Sequence, residues 1–355
     1  AQYKLGQIYE AGELVDGDPE SSYRYYESAL TAFLKIEDKD DNMLYRIGTM
    51  YMKGRGTAVD EATAAKYLEK AAELKNAMAM YQLGNLYMAG KSVGQDIDKA
   101  LYYYKESADQ GNPYAEYKLG QIYEKGEVAE NNPDLAYSYY KNALEKFILS
   151  KDKNGFLLYR IGSMYLKGQG TEIDYDRALK YLKESAAQGN PMAMYQLGNV
   201  YLQGKGVEKD EETAVAYYKR AAEADNPYAQ YKLGQIYEED NTSASFAYYE
   251  KALQNFLEAE EKDGGMLYRI GMMYLKGRGT QADNNEAVKY LEQSADQKNA
   301  MAMYQLGSLF LQGEGIAKDE ERALRYLKAA ADLDNPYALY KLGQLFDSDE
   351  LQQAD

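Results

Sequence analysis

The chain is 355 residues long, 45% apolar, with 41 Lys and Arg against 57 Asp and Glu, a formal charge of −16 at neutral pH. Cysteine and histidine are both absent, which removes disulfides, thiolate nucleophiles, imidazole bases and every His- or Cys-ligated metal site together. The acidic balance repels phosphate backbones and anionic membranes, no apolar run reaches about 18 residues, and so neither nucleic acid nor a membrane is expected as a direct partner.

From its start the chain repeats one signature, an apolar residue followed by Gly: Leu5-Gly6, Ile47-Gly48, Leu83-Gly84, Leu119-Gly120, Ile161-Gly162, Leu197-Gly198, Leu233-Gly234, Ile270-Gly271, Leu306-Gly307 and Leu342-Gly343. Successive glycines lie 42, 36, 36, 42, 36, 36, 37, 36 and 36 residues apart. A period in this range marks a stack of supersecondary units with a continuous core in which each unit touches its neighbours. The chain opens inside a repeat and without Met, which reads as a piece of a longer protein.

The repeat from Asn76 to Asn112 shows the elements most plainly. Ala79, Leu83, Leu86 and Tyr87 fall at helical spacing and predict a first helix, A, stopped at Gly90. Gly54, Gly126, Gly168, Gly204, Gly277 and Gly313 stand at the same place in other repeats. Asn112-Pro113, Asn190-Pro191, Asn226-Pro227 and Asn335-Pro336 predict an N-cap followed by Pro in the first turn. A polar loop leads to a second helix, B, opened by Asp96, Asp210 or Asp319, with Ala100, Tyr103, Tyr104, Ser107 and Ala108 recurring. Gly inside helix A costs about 1 kcal/mol relative to Ala, and close approach of helix B, with Ala100 and its equivalents opposite, is the expected reason.

A longer period lies above the first. Tyr-Lys-Leu-Gly, Tyr-Arg-Ile-Gly and Tyr-Gln-Leu-Gly alternate, giving three-repeat blocks at about 1–114, 115–228 and 229–337 with a final half repeat and polar tail at 338–355, all in one domain. The first kind has a longer B helix and linker, as in 136–154, except that the loop at 240–243 has lost five residues and its terminating Gly. Ten A helices and nine B helices follow.

The frame Ala79-x-Tyr81-x-Leu83-Gly84-x-x-Tyr87-x-x-Gly90, then Ala100-x-x-Tyr103-Tyr104-x-x-Ser107-Ala108 and Gly111-Asn112, resembles the Sel-one-like repeat, a relative of the tetratricopeptide repeat. The likeness runs along essentially the whole chain. It implies an all-α fold, a right-handed α-α superhelix of about nine and a half helix pairs, serving as a non-catalytic protein–protein interaction scaffold, often bacterial. Asn226-Pro-Tyr-Ala-Gln-Tyr-Lys-Leu-Gly234 also looks like repeat tails attached to conjugative relaxases, which gives the alternative of a tail on a larger enzyme. No cofactor and no metal is expected, a monomer is favoured, and the compartment stays open, with a bacterial cytoplasm the one the likeness favours.

If A helices line the concave side, as the tetratricopeptide likeness implies, Met78, Tyr81, Asn85 and Met88 project together into a groove. Across the chain this gives a ladder of Tyr3, Tyr45, Tyr81, Tyr117, Tyr159, Tyr195, Tyr231, Tyr268, Tyr304 and Tyr340. Beside it runs Gln7, Thr49, Asn85, Gln121, Ser163, Asn199, Gln235, Met272, Ser308 and Gln344. Tyr offers area with little rotamer entropy and the amides can bond a peptide backbone; the same Tyr column would equally suit packing between neighbouring A helices. On a third line Glu10, Glu124, Glu238 and Asp347 alternate with Met52, Met88, Leu166, Leu202, Leu275 and Leu311. A block of helices packed 8–10 Å apart spans roughly 30 Å, about nine residues of extended chain, so a ligand with a basic residue at that interval is the sharper expectation. Arg46, Arg160 and Arg269, just before Ile-Gly, read as ion pairs to a neighbouring helix or as clamps for a partner carboxylate. Gly54-Arg55-Gly56 and Gly204-Lys205-Gly206 lack the strand and the Lys-Ser/Thr of a phosphate loop and read as turns. Asp38 to Asn42 fails as a calcium loop, since Met43 stands where the sharp turn needs Gly.

Overall fold

The computed structural model describes residues 1–11, 18–90, 93–126, 128–313 and 315–347. Among them it contains nineteen α-helices and no strand. In chain order they are α1 (Gln2–Ala11), α2 (Pro19–Lys35), α3 (Asp41–Lys53), α4 (Glu61–Glu73), α5 (Ala77–Ala89), α6 (Ile97–Asp109), α7 (Pro113–Lys125), α8 (Pro133–Leu149), α9 (Gly155–Lys167) and α10 (Tyr175–Ala187). There follow α11 (Pro191–Gln203), α12 (Glu211–Glu223), α13 (Pro227–Ile236), α14 (Thr242–Glu258), α15 (Gly264–Lys276), α16 (Asn284–Asp296), α17 (Ala300–Gln312), α18 (Glu320–Ala331) and α19 (Pro336–Asp347). Odd-numbered helices are the A helices and even-numbered ones the B helices, ten and nine as the repeat signature predicts. The polar tail after Asp347 lies outside the described residues.

Capping chemistry sets the boundaries. The side chains of Asn112, Asn190, Asn226 and Asn335 accept the backbone N–H of Tyr114, Ala193, Ala229 and Ala338 at 2.9–3.0 Å, which satisfies a donor the helix start would otherwise leave unpaired. Asp96, Asp210 and Asp319 do the same for Lys99, Thr213 and Arg322 at the starts of B helices. The A helices that end in Gly turn left-handed there, with φ between 65° and 70° from Gly54 to Gly313. Helix α13 has lost that glycine and ends instead at Tyr237, outside the left-handed region. The B helices of first-kind repeats, α2, α8 and α14, each have 17 residues where their counterparts such as α4 and α6 have 13.

The chain forms two compact bodies, Ala1–Lys153 with Arg160–Ala178, and Asn154–Tyr159 with Leu179–Asp355. In both, an A helix packs most extensively on the B helix of its own repeat, as α3 on α4 and α15 on α16, and next on the B helix before it, as α5 on α4 and α17 on α16. Apolar columns fill these seams: Ile47, Leu68, Leu83, Tyr104 and Leu119 are fully buried in the first body and Leu197, Tyr218, Leu233, Tyr249, Leu291 and Leu306 almost fully in the second.

The glycine in each signature is the point of closest approach. A methyl group on Gly84 would lie 2.6 Å from Cδ1 and Cε1 of the Tyr104 ring, and one on Gly198 would lie 2.5 Å from Cε1 of Tyr218. Van der Waals contact needs about 3.5 Å or more between carbons, so only Gly admits the ring. The expectation that Ala100 and its equivalents stand opposite is corrected: the filling group is the aromatic or Leu side chain one turn later. Among the alanines of that column, Ala64, Ala287 and Ala323 contribute a carbonyl oxygen at 3.1–3.2 Å, beside Leu68, Leu291 and Leu327.

Candidate partner-binding face

The tyrosine ladder follows from the A-helix register, and what covers each ring explains the three-repeat period. Apart from Tyr340, which is 70% exposed, Tyr3, Tyr45, Tyr81, Tyr117, Tyr159, Tyr195, Tyr231, Tyr268 and Tyr304 are all half-buried. In first-kind repeats the extra turn of the B helix brings a Phe against the ladder: Phe33 to Tyr3 at 6.2 Å, Phe147 to Tyr117 at 6.4 Å and Phe256 to Tyr231 at 6.4 Å between ring centroids. In second-kind repeats the side chains of Gln82 and Gln305 on the next A helix lie beside the phenols of Tyr45 and Tyr268. In third-kind repeats an aromatic at the start of the next A helix takes the place: Tyr114 to Tyr81 at 6.2 Å, Tyr228 to Tyr195 at 6.1 Å and Tyr337 to Tyr304 at 5.7 Å. The packing reading thus holds for these rings, and part of each remains exposed.

The polar column divides. Asn85 and Asn199 accept hydrogen bonds from the buried phenols of Tyr104 and Tyr218 at 2.9 and 2.8 Å. Burial first, and then the neighbouring Tyr81 or Tyr195, pushes those phenols far above the ordinary value. Ser308 sits where the residue opposite is Leu327, which has no hydroxyl to place. Thr49 and Ser163 are both buried, and the Thr49 hydroxyl donates to the Arg46 carbonyl of its own helix at 2.9 Å. Gln121 is half-buried and Gln235 exposed, so both stay open to a partner. Met88 and Leu202 are half-buried on the third line.

The acidic thirds have internal partners. Glu10 accepts from the Tyr26 hydroxyl at 2.6 Å and pairs with Arg55 at 2.7 Å. Glu238 accepts from Tyr249 at 3.3 Å and holds Arg278 through two bonds of 2.8 and 2.6 Å. Glu124 accepts from Tyr140 at 2.6 Å and from Gln169 at 3.2 Å. Burial, followed by the bond to Glu124, holds the Tyr140 phenol well above its usual range. The acid therefore recurs in first-kind repeats because it accepts the hydroxyl of the Tyr that fills the glycine seam, whereas third-kind repeats use Asn one turn earlier for the same hydroxyl. The residue that reaches it, Arg55, Gln169 or Arg278, is the middle member of a Gly-x-Gly turn, and a methyl group on Gly56 would lie 2.2 Å from the backbone nitrogen of Glu27. These turns are wedges against the preceding B helix.

The ion pair from Arg46, Arg160 and Arg269 to a neighbouring helix is corrected: each guanidinium lies over a ring, and Arg269 also donates to the Gly265 carbonyl at 2.8 Å. Arg46 sits 5.5 Å from the centroid of Tyr3, Arg160 4.8 Å from Tyr117 and 5.3 Å from Tyr114, and Arg269 5.2 Å from Tyr228. A second set of aromatics was not foreseen from sequence. Tyr51 stacks on Tyr67, Tyr87 on Tyr103 and Tyr274 on Tyr290, with centroids 5.7–5.9 Å apart and planes within 8°. The signal was present as two aromatics 16 residues apart in most repeats.

The Sel1 repeat pattern matches residues 1–32, 42–76, 77–112, 113–146, 157–190, 191–226, 227–255, 266–299 and 300–335. The chain belongs to the Sel1 repeat family. A Sel1 repeat protein from Oxalobacter formigenes is 28% identical, with a TM-score of 0.54 over 72% of this chain and 99% of that one. A protective antigen of uropathogenic Escherichia coli strains, described as displaying an SLR fold, is 26% identical over 97% of this chain and 71% of that one, with a TM-score of 0.46. The fold is accordingly an all-α solenoid of tandem Sel1 repeats. Sel1 and tetratricopeptide-like repeats typically mediate protein–protein interaction.

Proposed function

We propose that this Sel1 repeat chain is a non-catalytic scaffold that holds a peptide, tail or partner domain against the face formed by its A helices. The observation that supports the reading is the half-buried tyrosine ladder: Tyr3, Tyr81, Tyr117, Tyr195, Tyr231 and Tyr304 each pack on a Phe or Tyr neighbour and keep part of their surface exposed. A pre-fixed aromatic surface binds with little loss of rotamer freedom. Within each body the face also holds a groove. One, of about 610 Å³, lies between α1 and α3 and is lined by Tyr3, Gln7, Tyr45 and Gln82. Another, of about 670 Å³, lies between α17 and α19 and is lined by Tyr304, Ser308, Tyr340 and Gln344.

The test replaces Tyr81 and Gln121 with Ala and measures capture of a bound partner, with circular dichroism as the folding control. Asn85 and Asn199 stay intact because they hold Tyr104 and Tyr218. Capture is expected to fall for this pair and to persist for Tyr102→Ala, whose ring is 56% exposed on helix B. Capture lost with Tyr102→Ala and kept with the A-face pair would place the partner on the wrong set of helices for this reading.

A further inference from the structure

The residue just before each apolar-Gly pair is Lys4, Arg46, Gln82, Lys118, Arg160, Gln196, Lys232, Arg269, Gln305 or Lys341. No acid occurs in this column, although acids outnumber bases 57 to 41 in the chain. The column lies on the A-helix face: Arg46 and Arg160 rest on ladder rings, and Gln82 and Gln305 lie beside ladder phenols. In the groove between α1 and α3 every charged side chain of the lining is basic, namely Lys4, Arg46, Lys53 and Arg55. Arg55 is taken by Glu10; Lys4, Arg46 and Lys53 make no ion pair among the described residues. In the groove between α17 and α19 the one acid of the lining, Glu320, is held by Lys318 at 2.6 Å, and Lys341 faces the same space.

We propose that the ligand of the A-helix face of the first body is an acidic extended peptide, whose carboxylates are received by Arg46 and Arg160. This rests on the binding-face reading above and reverses the basic ligand that the sequence suggested, because Glu10 and Glu238 are already paired with Arg55 and Arg278 and Glu124 is held by Tyr140 and Gln169. Arg46 and Arg160 make no ion pair among the described residues, and a guanidinium resting on a ring can still offer its planar fork of N–H donors to a carboxylate. The amide of Gln82, on the helix between those of Tyr45 and Tyr117, suits a peptide backbone. A nucleic acid is disfavoured, since phosphate tracking relies on dense Lys and Arg and the whole chain carries −16.

The experiment is fluorescence anisotropy of the full chain with short labelled peptides alternating Gly with Glu, Lys or Ser, and with a single-stranded oligonucleotide. The Glu peptide is expected to bind best and to weaken with salt. Arg46→Gln with Arg160→Gln should weaken it on the order of tenfold or more, as expected for loss of a charge-assisted bond worth about 1.4 kcal/mol. Gln already stands at this column at positions 82, 196 and 305, so the double variant should keep its helicity. Tighter binding of the Lys peptide, equal or tighter binding of the oligonucleotide, an unaffected Arg46→Gln/Arg160→Gln variant, or no binding by any peptide would each overturn the proposal. If Ser and Glu peptides bind equally and both are lost with Tyr81→Ala, the binding face stands and the charge assignment falls.

Discussion

Gly84→Ala and Gly343→Ala make the same change at the same repeat position and should act in opposite directions. A methyl group on Gly84 meets the Tyr104 ring at 2.6 Å, so the ring must retreat by about 1 Å to reach ordinary contact. That ring is fully buried, tied to Asn85 at 2.9 Å and packed on Tyr81 at 6.1 Å, so it has little room to move. Overpacking of this sort costs about 1–3 kcal/mol, a weakened buried hydrogen bond about 0.5–1.5 kcal/mol more, and the helix gains about 1 kcal/mol from replacing Gly with Ala. The net is a local loss of roughly 1–3 kcal/mol in α5 and α6. No described residue lies within 4 Å of the corresponding point on Gly343, so there the propensity gain stands alone among them and α19 should be strengthened by up to about 1 kcal/mol. Stability in a repeat chain is a sum over neighbours, so native-state hydrogen exchange read peptide by peptide is the suitable assay, with about tenfold in exchange rate for each 1.4 kcal/mol. Unchanged protection of α5 and α6 in Gly84→Ala, or two shifts of the same sign, would refute the seam argument.

Two further outcomes follow from buried charge. Burial raises the Glu116 carboxyl above its ordinary 4.5, and the Lys146 ammonium at 2.7 Å offsets this only in part. A carboxyl raised in the folded state stabilises it while protonated, so that contribution is present below about pH 4.5 and is lost as pH rises through the folded value. The second body carries Gln230 and Asn255 in this arrangement, joined at 2.9 Å. Glu116→Gln with Lys146→Asn should therefore gain on the parent chain between acid and neutral pH, as urea midpoints would show; a relative loss would contradict it. Gln169→Arg should reproduce the Arg55 and Arg278 arrangement, which lies 5.3 Å over Tyr26 and 5.2 Å over Tyr249 while holding the acid. A rise in thermal stability of about 0.5–1 kcal/mol that shrinks with salt is expected, and a fall would show that the Glu124 site differs from its counterparts.

What the sequence made legible is local. Asn112, Asp96 and Gly90 announce helix boundaries because each acts on backbone groups within a few residues, and the recurring glycine gives the packing period because only one residue fits beneath the Tyr104 ring. The acids were misread for the opposite reason. Glu238 meets Arg278 across 40 residues and Glu10 meets Arg55 across 45, so each looked like an unpaired charge on a helix face. The match of Arg55 and Arg278 with Glu10 and Glu238 was visible only by comparing blocks, since Gln169 breaks the pattern at Glu124. Thr49 and Ser163 shared a column with Asn85, but small hydroxyls sink into the seam where the opposing B helix lacks the phenol that Asn85 and Asn199 serve.

The binding face itself is tested most directly by placing a photo-crosslinking side chain at Gln121 or Gln344 on the A helices and, separately, at Tyr102 or Tyr137 on the B helices, with the Glu peptide bound. Adducts at the two A-helix positions and none at the B-helix positions are the predicted result. Adducts confined to Tyr102 or Tyr137 would contradict the assignment of recognition to the tyrosine-laddered face.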